Sequence, residues 1–200
     1  MPLKPINNKN TVYLKGIIIS PFAISFSSAG KLFYRGYIEV LSVSGISNKL
    51  PIVIDEKNIN KEMCIGTAVK INANIRTRNY EENGIKKVDI YIFAYDIKQN
   101  NKKEKYMNQV LLEGYICKTP QIRYSATGNK LYLTILANNR EGGIVNYIPC
   151  VFFEKDTKKI AQIKVGDLIQ VKGRFQSRNY KKNKNLKTTY EMAVSKFKTL

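Results

Sequence analysis

Apolar and polar positions alternate with a period of two over long stretches of this chain. Between Thr67 and Tyr80, Val69, Ile71, Ala73 and Ile75 point one way, and Lys70, Asn72, Asn74 and Arg76 the other. That is the pattern of a long, half-buried strand. Upstream, Thr11–Ser20 is β-branched and alternates at its start through Val12 and Leu14. Lys31–Leu41 reads as a second strand and Lys49–Ile54 as a short third. Pro51 donates no ladder bond, which marks the third strand as a candidate edge. Asn58–Cys64 has room for one or two helical turns, and Val88–Ile97 closes the set. A second set follows: Gln109–Ile116, Leu131–Asn138, Ile148–Phe153, Asp167–Arg178 and Thr189–Phe197. Before its fourth strand, Asp156–Ile163 predicts a helix, with Asp156 as N-cap and Ile160 and Ile163 at helical spacing.

The two sets are a duplication. Asn10-Thr-Val-Tyr-Leu-Lys-Gly16 matches Asn108-Gln-Val-Leu-Leu-Glu-Gly114, 98 residues later. Ser20-Pro21 matches Thr119-Pro120, Gly30 matches Gly128, Pro51 matches Pro149, and Gly66 matches Gly166. Arg78-Asn79-Tyr80 matches Arg178-Asn179-Tyr180 at an offset of 100. The polar stretch Gln99–Tyr106 reads as a linker and residues 1–9 as a loose leading arm. The expected division is 1–98, a linker at 99–107, and 108–200. Three strands, a short helix and two strands in each half is the order of an OB-fold, an order that other small barrels also fit. The expected fold is therefore all-β: two tandem, five-stranded Greek-key barrels, each closed separately, with a short helix between strands 3 and 4.

Charge then narrows the function. Thirty-four Lys and Arg against 15 Asp and Glu give +19, and 44% hydrophobic residues are enough to bury a core. A folded, strongly basic chain points to a polyanionic partner. There is no histidine, which removes Ser-His-Asp and Cys-His catalysis and His-ligated metals. Three cysteines with no CxxC argue against zinc and a disulfide framework, and suit a reducing cytosol. No run of apolar residues approaches a membrane span, and the N-terminus lacks the apolar core of a secretion signal. No glycine pattern makes a P-loop. No cofactor, no metal and no catalysis are expected, and the expected location is the cytoplasm, in association with the nucleoid.

The second half resembles the bacterial single-stranded DNA-binding protein family. The resemblance rests on Asn108-Gln-Val-Leu-Leu-Glu-Gly114, Thr119-Pro120, Gly128, Ala137-Asn-Asn-Arg140 and Tyr147-Ile-Pro-Cys-Val-Phe-Phe-Glu-Lys155. It continues through Val165-Gly166-Asp167 and is most specific in Val171-Lys-Gly-Arg-Phe-Gln-Ser-Arg-Asn-Tyr180. It covers about 90 residues; the first half shares it faintly, through the repeat. A two-barrel chain of this kind looks like the tandem proteins of clostridia and mobile elements. The resemblance implies stacking of bases on Tyr147, Phe153 and Tyr180. In the first half Tyr80 matches Tyr180, but no ring stands at the other two positions. The family's acidic C-terminal tip, which recruits replication and repair enzymes, has no counterpart in Ser195–Leu200.

Binding a single strand without reading its sequence needs cations along the phosphates and rings against the bases. Lys172, Arg174, Arg178, Lys181 and Lys182 surround Tyr180, with no acidic residue between Asp167 and Glu191. Lys181–Lys187 reads as a long recognition loop. Lys130, Tyr132 and Arg140 complete the second half's candidates; Arg35, Tyr37, Arg76, Arg78 and Tyr80 are those of the first. The expected function is non-enzymatic binding of single-stranded DNA in replication, recombination or mobile-element transfer. The alternatives are a primosome-like protein adaptor with weak DNA binding, and single-stranded RNA binding. A homodimer formed through the edges of the first strands, Val12–Ile19 and Val110–Ile116, would bring four barrels together.

Overall fold

The structure, a computed structural model, describes residues 8–42, 45–59, 63–100, 106–125, 127–153, 157–182 and 185–200. Among these residues twelve strands run β1 (Asn10–Ile18), β2 (Ala23–Ser28), β3 (Lys31–Leu41), β4 (Ser47–Asp55), β5 (Ala68–Glu82), β6 (Ile85–Gln99), β7 (Met107–Ile116), β8 (Gln121–Tyr124), β9 (Lys130–Arg140), β10 (Ile144–Phe153), β11 (Leu168–Lys182) and β12 (Asn185–Thr199). Single 3-10 turns follow β4 and β9, at Glu56–Asn58 and Glu141–Gly143. The only α-helix among the described residues, α1, is one turn at Thr157–Ile160. The helix expected over Asp156–Ile163 is thus shorter, and its proposed cap, Asp156, lies outside the described residues. In the first half a 3-10 turn covers Glu56–Asn58, and residues 60–62 of the helical turns expected at Asn58–Cys64 lie outside the described residues.

Each half follows the expected strand order and adds one short strand, β2 or β8, that alternation did not reveal. Ser28 pairs with Lys31 across Ala29 and Gly30, both at positive φ, so the β2–β3 turn is a tight two-residue hairpin. Asn83-Gly84 makes the same kind of turn between β5 and β6. Within the first half the pairing runs β3-β4-β6-β5-β1 and returns to β3 through Ile17 and Ile18. The second half repeats this, with β7 returning to β9 through Tyr115 and Ile116. The return crosses at a glycine in both halves. A Cβ on Gly16 would stand 2.5 Å from the Glu39 carbonyl oxygen, and one on Gly114 2.8 Å from that of Ala137. β4 is not an edge: it lies between β3 and β6. Pro51 falls just ahead of the parallel stretch Ile52–Ile54 that pairs with β6, where its missing N–H breaks no bond to that neighbour.

The two halves are not separate sheets, and here the expectation is corrected. All twelve strands form one continuous hydrogen-bonded sheet, because β1 pairs with β7. Val12 faces Val110, its own repeat partner, with Asn10↔Leu112 and Leu14↔Asn108 as symmetric pairs on either side, and the ladder continues to Lys15↔Met107. The first-strand edges expected to bring two copies together are thereby consumed within one chain. At either end of this ladder an asparagine stands in for a strand. The backbone of Asn10 turns to β7, while its side chain continues the pairing with β5. Its Nδ2 donates to the Ile75 carbonyl at 2.8 Å, and its Oδ1 accepts from the Ile75 N–H at 2.8 Å. Asn108 brackets Phe175 in the same way, at 2.7 and 2.9 Å. The apolar cores of both halves are lined by the inward positions of these strands, among them Leu14, Ile71, Ile92, Leu112, Phe152 and Phe175, all 0% exposed.

Asparagines also weld the junction. Asn138, 0% exposed, donates through Nδ2 to the carbonyls of Lys9 (3.1 Å) and Glu113 (2.8 Å). Its Oδ1 accepts from Asn10 at 2.8 Å. Asn146 accepts from the Thr77 N–H, and the Tyr147 N–H donates to the Thr77 hydroxyl. Asn8 exchanges backbone and side-chain bonds with Asn139, so the end of the expected loose arm is docked between the halves. β6 reaches Gln99 and β7 begins at Met107; residues 101–105 of the expected linker lie outside the described residues.

Candidate nucleic-acid interface

Register decides which side chains share a face, because successive residues of a strand point to opposite sides. In the second half Tyr147 and Phe153 lie on the outward side of β10, with Pro149 and Val151 between them. The parallel pairing Val151↔Ala193 links them to β12. The antiparallel pairing Arg174↔Ala193 carries the same face onto β11, where Gln176, Arg178 and Tyr180 follow. Phe175 points inward. One outward face therefore holds Tyr147, Phe153, Arg174, Arg178 and Tyr180. Tyr147 is 52% and Tyr180 36% exposed, and Phe153 is half-buried. The Arg178 guanidinium lies 5.9 Å from the Tyr180 ring. Lys172 and Arg174 are exposed on the side away from Val171 and Phe175.

Several expectations change here. Tyr132 is 6% exposed and belongs to the core. It pairs with the fully buried Phe152, and a ring packed inside cannot meet a base. Lys130 sits over it at 5.4 Å. The run of positive charge in β11 is also not uncompensated. Arg178 Nε donates to Glu191 at 3.2 Å, and Gln176 donates to the same carboxylate at 3.0 Å. Lys181–Lys187 is not a long loop: Lys181 pairs with Leu186 and Lys182 with Asn185, so the strands continue to the tip of a hairpin. The side chains of Lys181 and Lys182 lie outside the described part. Arg140 stands at the end of β9, away from the β11–β12 hairpin and close to Arg76.

The first half carries more rings than its sequence suggested. Phe33, Arg35 and Tyr37 share the outward face of β3, and Asp89, Tyr91 and Phe93 that of β6, where Tyr91, 5% exposed, is covered and like Tyr132 offers no open ring. Phe26 of β2 stacks on Phe33 with centroids 4.9 Å apart. Arginines lie over these rings: Arg76 over Phe93 at 3.4 Å, Arg78 over Phe26 at 4.2 Å, and Arg35 near Tyr91 at 5.7 Å. Arg78 is also 5.5 Å from the Tyr80 ring. Asp89 holds two of the cations, in close contact with Arg35 and 4.0 Å from Arg78. Burial would lower the Arg35 pKa, but its contacts with Asp89 and Tyr37 outweigh this and hold it above the ordinary value. Tyr37 lies beside this group and beside Tyr190 of the second half, whose pKa is pushed up to about 12, chiefly by burial. Arg35 and Tyr37 thus knit the face together. Alternation in Phe33-Arg35-Tyr37 and Asp89-Tyr91-Phe93 was the available signal for the missed rings. It was obscured because it marks a face without saying which strands lie beside it.

Among the described residues no group of Cys, Asp or Glu could hold a metal ion, and no helix is long and apolar enough to cross a membrane. The model of the single-strand binding protein family matches residues 107–200. Single-stranded DNA-binding protein 3 of Listeria innocua is 37% identical over 84 residues, which cover 38% of this chain and 52% of that protein. Single-stranded DNA-binding protein B of Bacillus subtilis is 35% identical over 80 residues, 36% of this chain and 71% of that protein. The chain spans about half the length of the first curated relatives it matches. The crystal structure of the wild-type single-stranded DNA binding protein from Thermus aquaticus superposes with a TM-score of 0.78 at 16% identity, covering 98% of this chain and 94% of that one. That likeness extends the OB-type architecture to both halves. With one third of its residues in register over most of a short relative, and the family model spanning its second half, the chain belongs to the single-strand binding protein family.

Proposed function

We propose that this protein is a non-enzymatic binder of single-stranded DNA with little sequence preference. Each ring of strand pairings would act as one OB unit, over 1–98 and 108–200. The observation that carries this reading is the common outward face of the second half, where Tyr147, Phe153 and Tyr180 share one surface with Arg174 and Arg178. Rings give bases a flat partner whatever their identity, and the cations follow the phosphates. Arg178 keeps a role despite Glu191: that carboxylate is shared with Gln176, and the arginine side chain stays 48% exposed. The first half, with three of its arginines lying on its own rings, is the weaker contact, through Arg76, Arg78 and Tyr80. Charge agrees: residues 101–200 hold 20 cations and 7 anions, against 14 and 8 in residues 1–100.

The test is a set of ring variants titrated with oligo-dT. Tyr147→Ala, Phe153→Ala and Tyr180→Ala are each expected to weaken binding by about 1–3 kcal/mol. Tyr80→Ala is expected to cost less. Equal losses in both halves would contradict the asymmetry, and no loss from the three second-half variants would contradict the stacking face. Parallel titration with oligo-rU separates DNA from RNA binding.

A further inference from the structure

A cavity of about 240 Å³ opens where β5 of the first half meets the β9–β10 turn of the second. Its walls are asparagines, and their amides are committed. Asn138 accepts from Asn10 and, at 3.4 Å, from Asn146, all three also bond to backbone groups, and Asn74 donates to the Asn10 carbonyl. Two arginines face this rigid polar wall, Arg76 and Arg140. Neither forms an ion pair among the described residues, although Glu141 stands exposed at the same cavity. The Nε atoms of both are shielded from solvent and meet no acceptor. Arg76 is further fixed by the Phe93 ring beneath it. Burial, and secondarily the charge of Arg140, lower its pKa to about 10. Two close, partly desolvated like charges are an unfavourable arrangement for a folded chain to keep.

The fold does not require that arrangement. The pseudo-twofold that relates the halves produces a second cavity at the other end of the β1–β7 ladder. There Asn108 stands for Asn10 and Asn48 for Asn146. Gln176 takes the place of Arg76 and Ser42 that of Arg140. The Gln176 side chain is satisfied by Glu191. The second cavity has two arginines of its own, Arg174 and Arg178, at other positions, and Arg178 is paired with Glu191; the places equivalent to Arg76 and Arg140 are therefore not required by the scaffold to be cationic.

We propose that the Arg76–Arg140 cavity is a phosphate site, in which both guanidiniums grip a single oxyanion at the junction of the two halves. Arginine forks suit phosphate oxygens, and an oxyanion would relieve the repulsion between them. The source is either a phosphodiester of a bound strand crossing from one half to the other, or free inorganic phosphate. The first rests on the single-strand reading; the second does not.

The test uses the full chain and the variants Arg76→Gln and Arg140→Gln, the first of which copies the residue of the second cavity. Melting is measured in phosphate and in chloride at equal ionic strength. Salt-dependent oligo-dT binding is measured alongside. A phosphodiester in the site predicts about tenfold weaker oligo-dT binding for either variant, the weight of a charge-assisted hydrogen bond. It also predicts a log–log salt slope shallower by about 0.7, the share of one phosphate on a single strand. Free phosphate predicts a rise in the wild-type Tm in phosphate that both variants lose. Either result supports the site, and the second does so even if the wild type binds no oligo-dT. In chloride Arg140→Gln should melt no lower than wild type, since it removes a repulsion; a clear drop would mean a structural role and overturn the proposal. So would variants that match wild type in both measurements.

Discussion

Phe175→Ala is expected to cost about 3–5 kcal/mol of stability, the range for removing a large aromatic from a packed core. Phe175 is 0% exposed. Its ring stacks on Tyr190 with centroids 6.1 Å apart. Its backbone cannot move in to fill the space, because Asn108 holds both its N–H and its carbonyl. A site that cannot collapse leaves the full cavity behind, so the upper part of the range applies. Equilibrium urea denaturation measures it; a loss under about 1.5 kcal/mol would mean that β11 relaxes inward and that the Asn108 clamp is weak.

Asn138→Ala is the second large effect, expected at about 3 kcal/mol or more. The substitution takes their Asn138 partner from the Glu113 carbonyl and from one N–H of the Asn10 amide, around a side chain that is 0% exposed, while the Lys9 carbonyl keeps the Glu113 N–H. Each stranded buried group costs about 1–3 kcal/mol. Asn138→Asp keeps the shape but loses both donors and places a carboxylate against backbone carbonyls, so it is expected to be at least as damaging at neutral pH. The same denaturation experiment checks both. If either variant is near neutral, the halves are held by the β1–β7 ladder alone and the asparagine network contributes little.

The contrast between these two residues shows what the sequence made legible. Phe175 sits in an alternating strand, so its inward direction followed from periodicity, and so did most strands and the repeat. Asn138 lay in a recognisable motif, yet nothing local indicated that it would reach Lys9 across 129 residues. Long-range pairing has no period of its own. For that reason the β1–β7 ladder was anticipated between copies of the chain when it forms inside one. β2 and β8 escaped notice because they are almost wholly exposed, which removes the apolar alternation that identifies a strand. The candidate face was read in part. Tyr147, Phe153 and Tyr180 emerged through resemblance, and register unites them. Tyr132 was misassigned because a tyrosine beside a lysine looks the same whichever side of the strand it occupies. Glu191 closes the list: it is distant from Arg178 along the chain and adjacent to it across a hairpin.

Single-strand binding itself is tested most directly by titrating the intact protein with oligo-dT and with duplex of equal length over a series of salt concentrations. With about four to six phosphates neutralised, the log–log slope for oligo-dT is expected between about −3 and −4, at roughly 0.7 per phosphate for single strands. Duplex should bind more weakly throughout, because its bases cannot reach Tyr147, Phe153 and Tyr180. A response to salt that is flat, or an affinity for duplex equal to that for oligo-dT, would contradict the account.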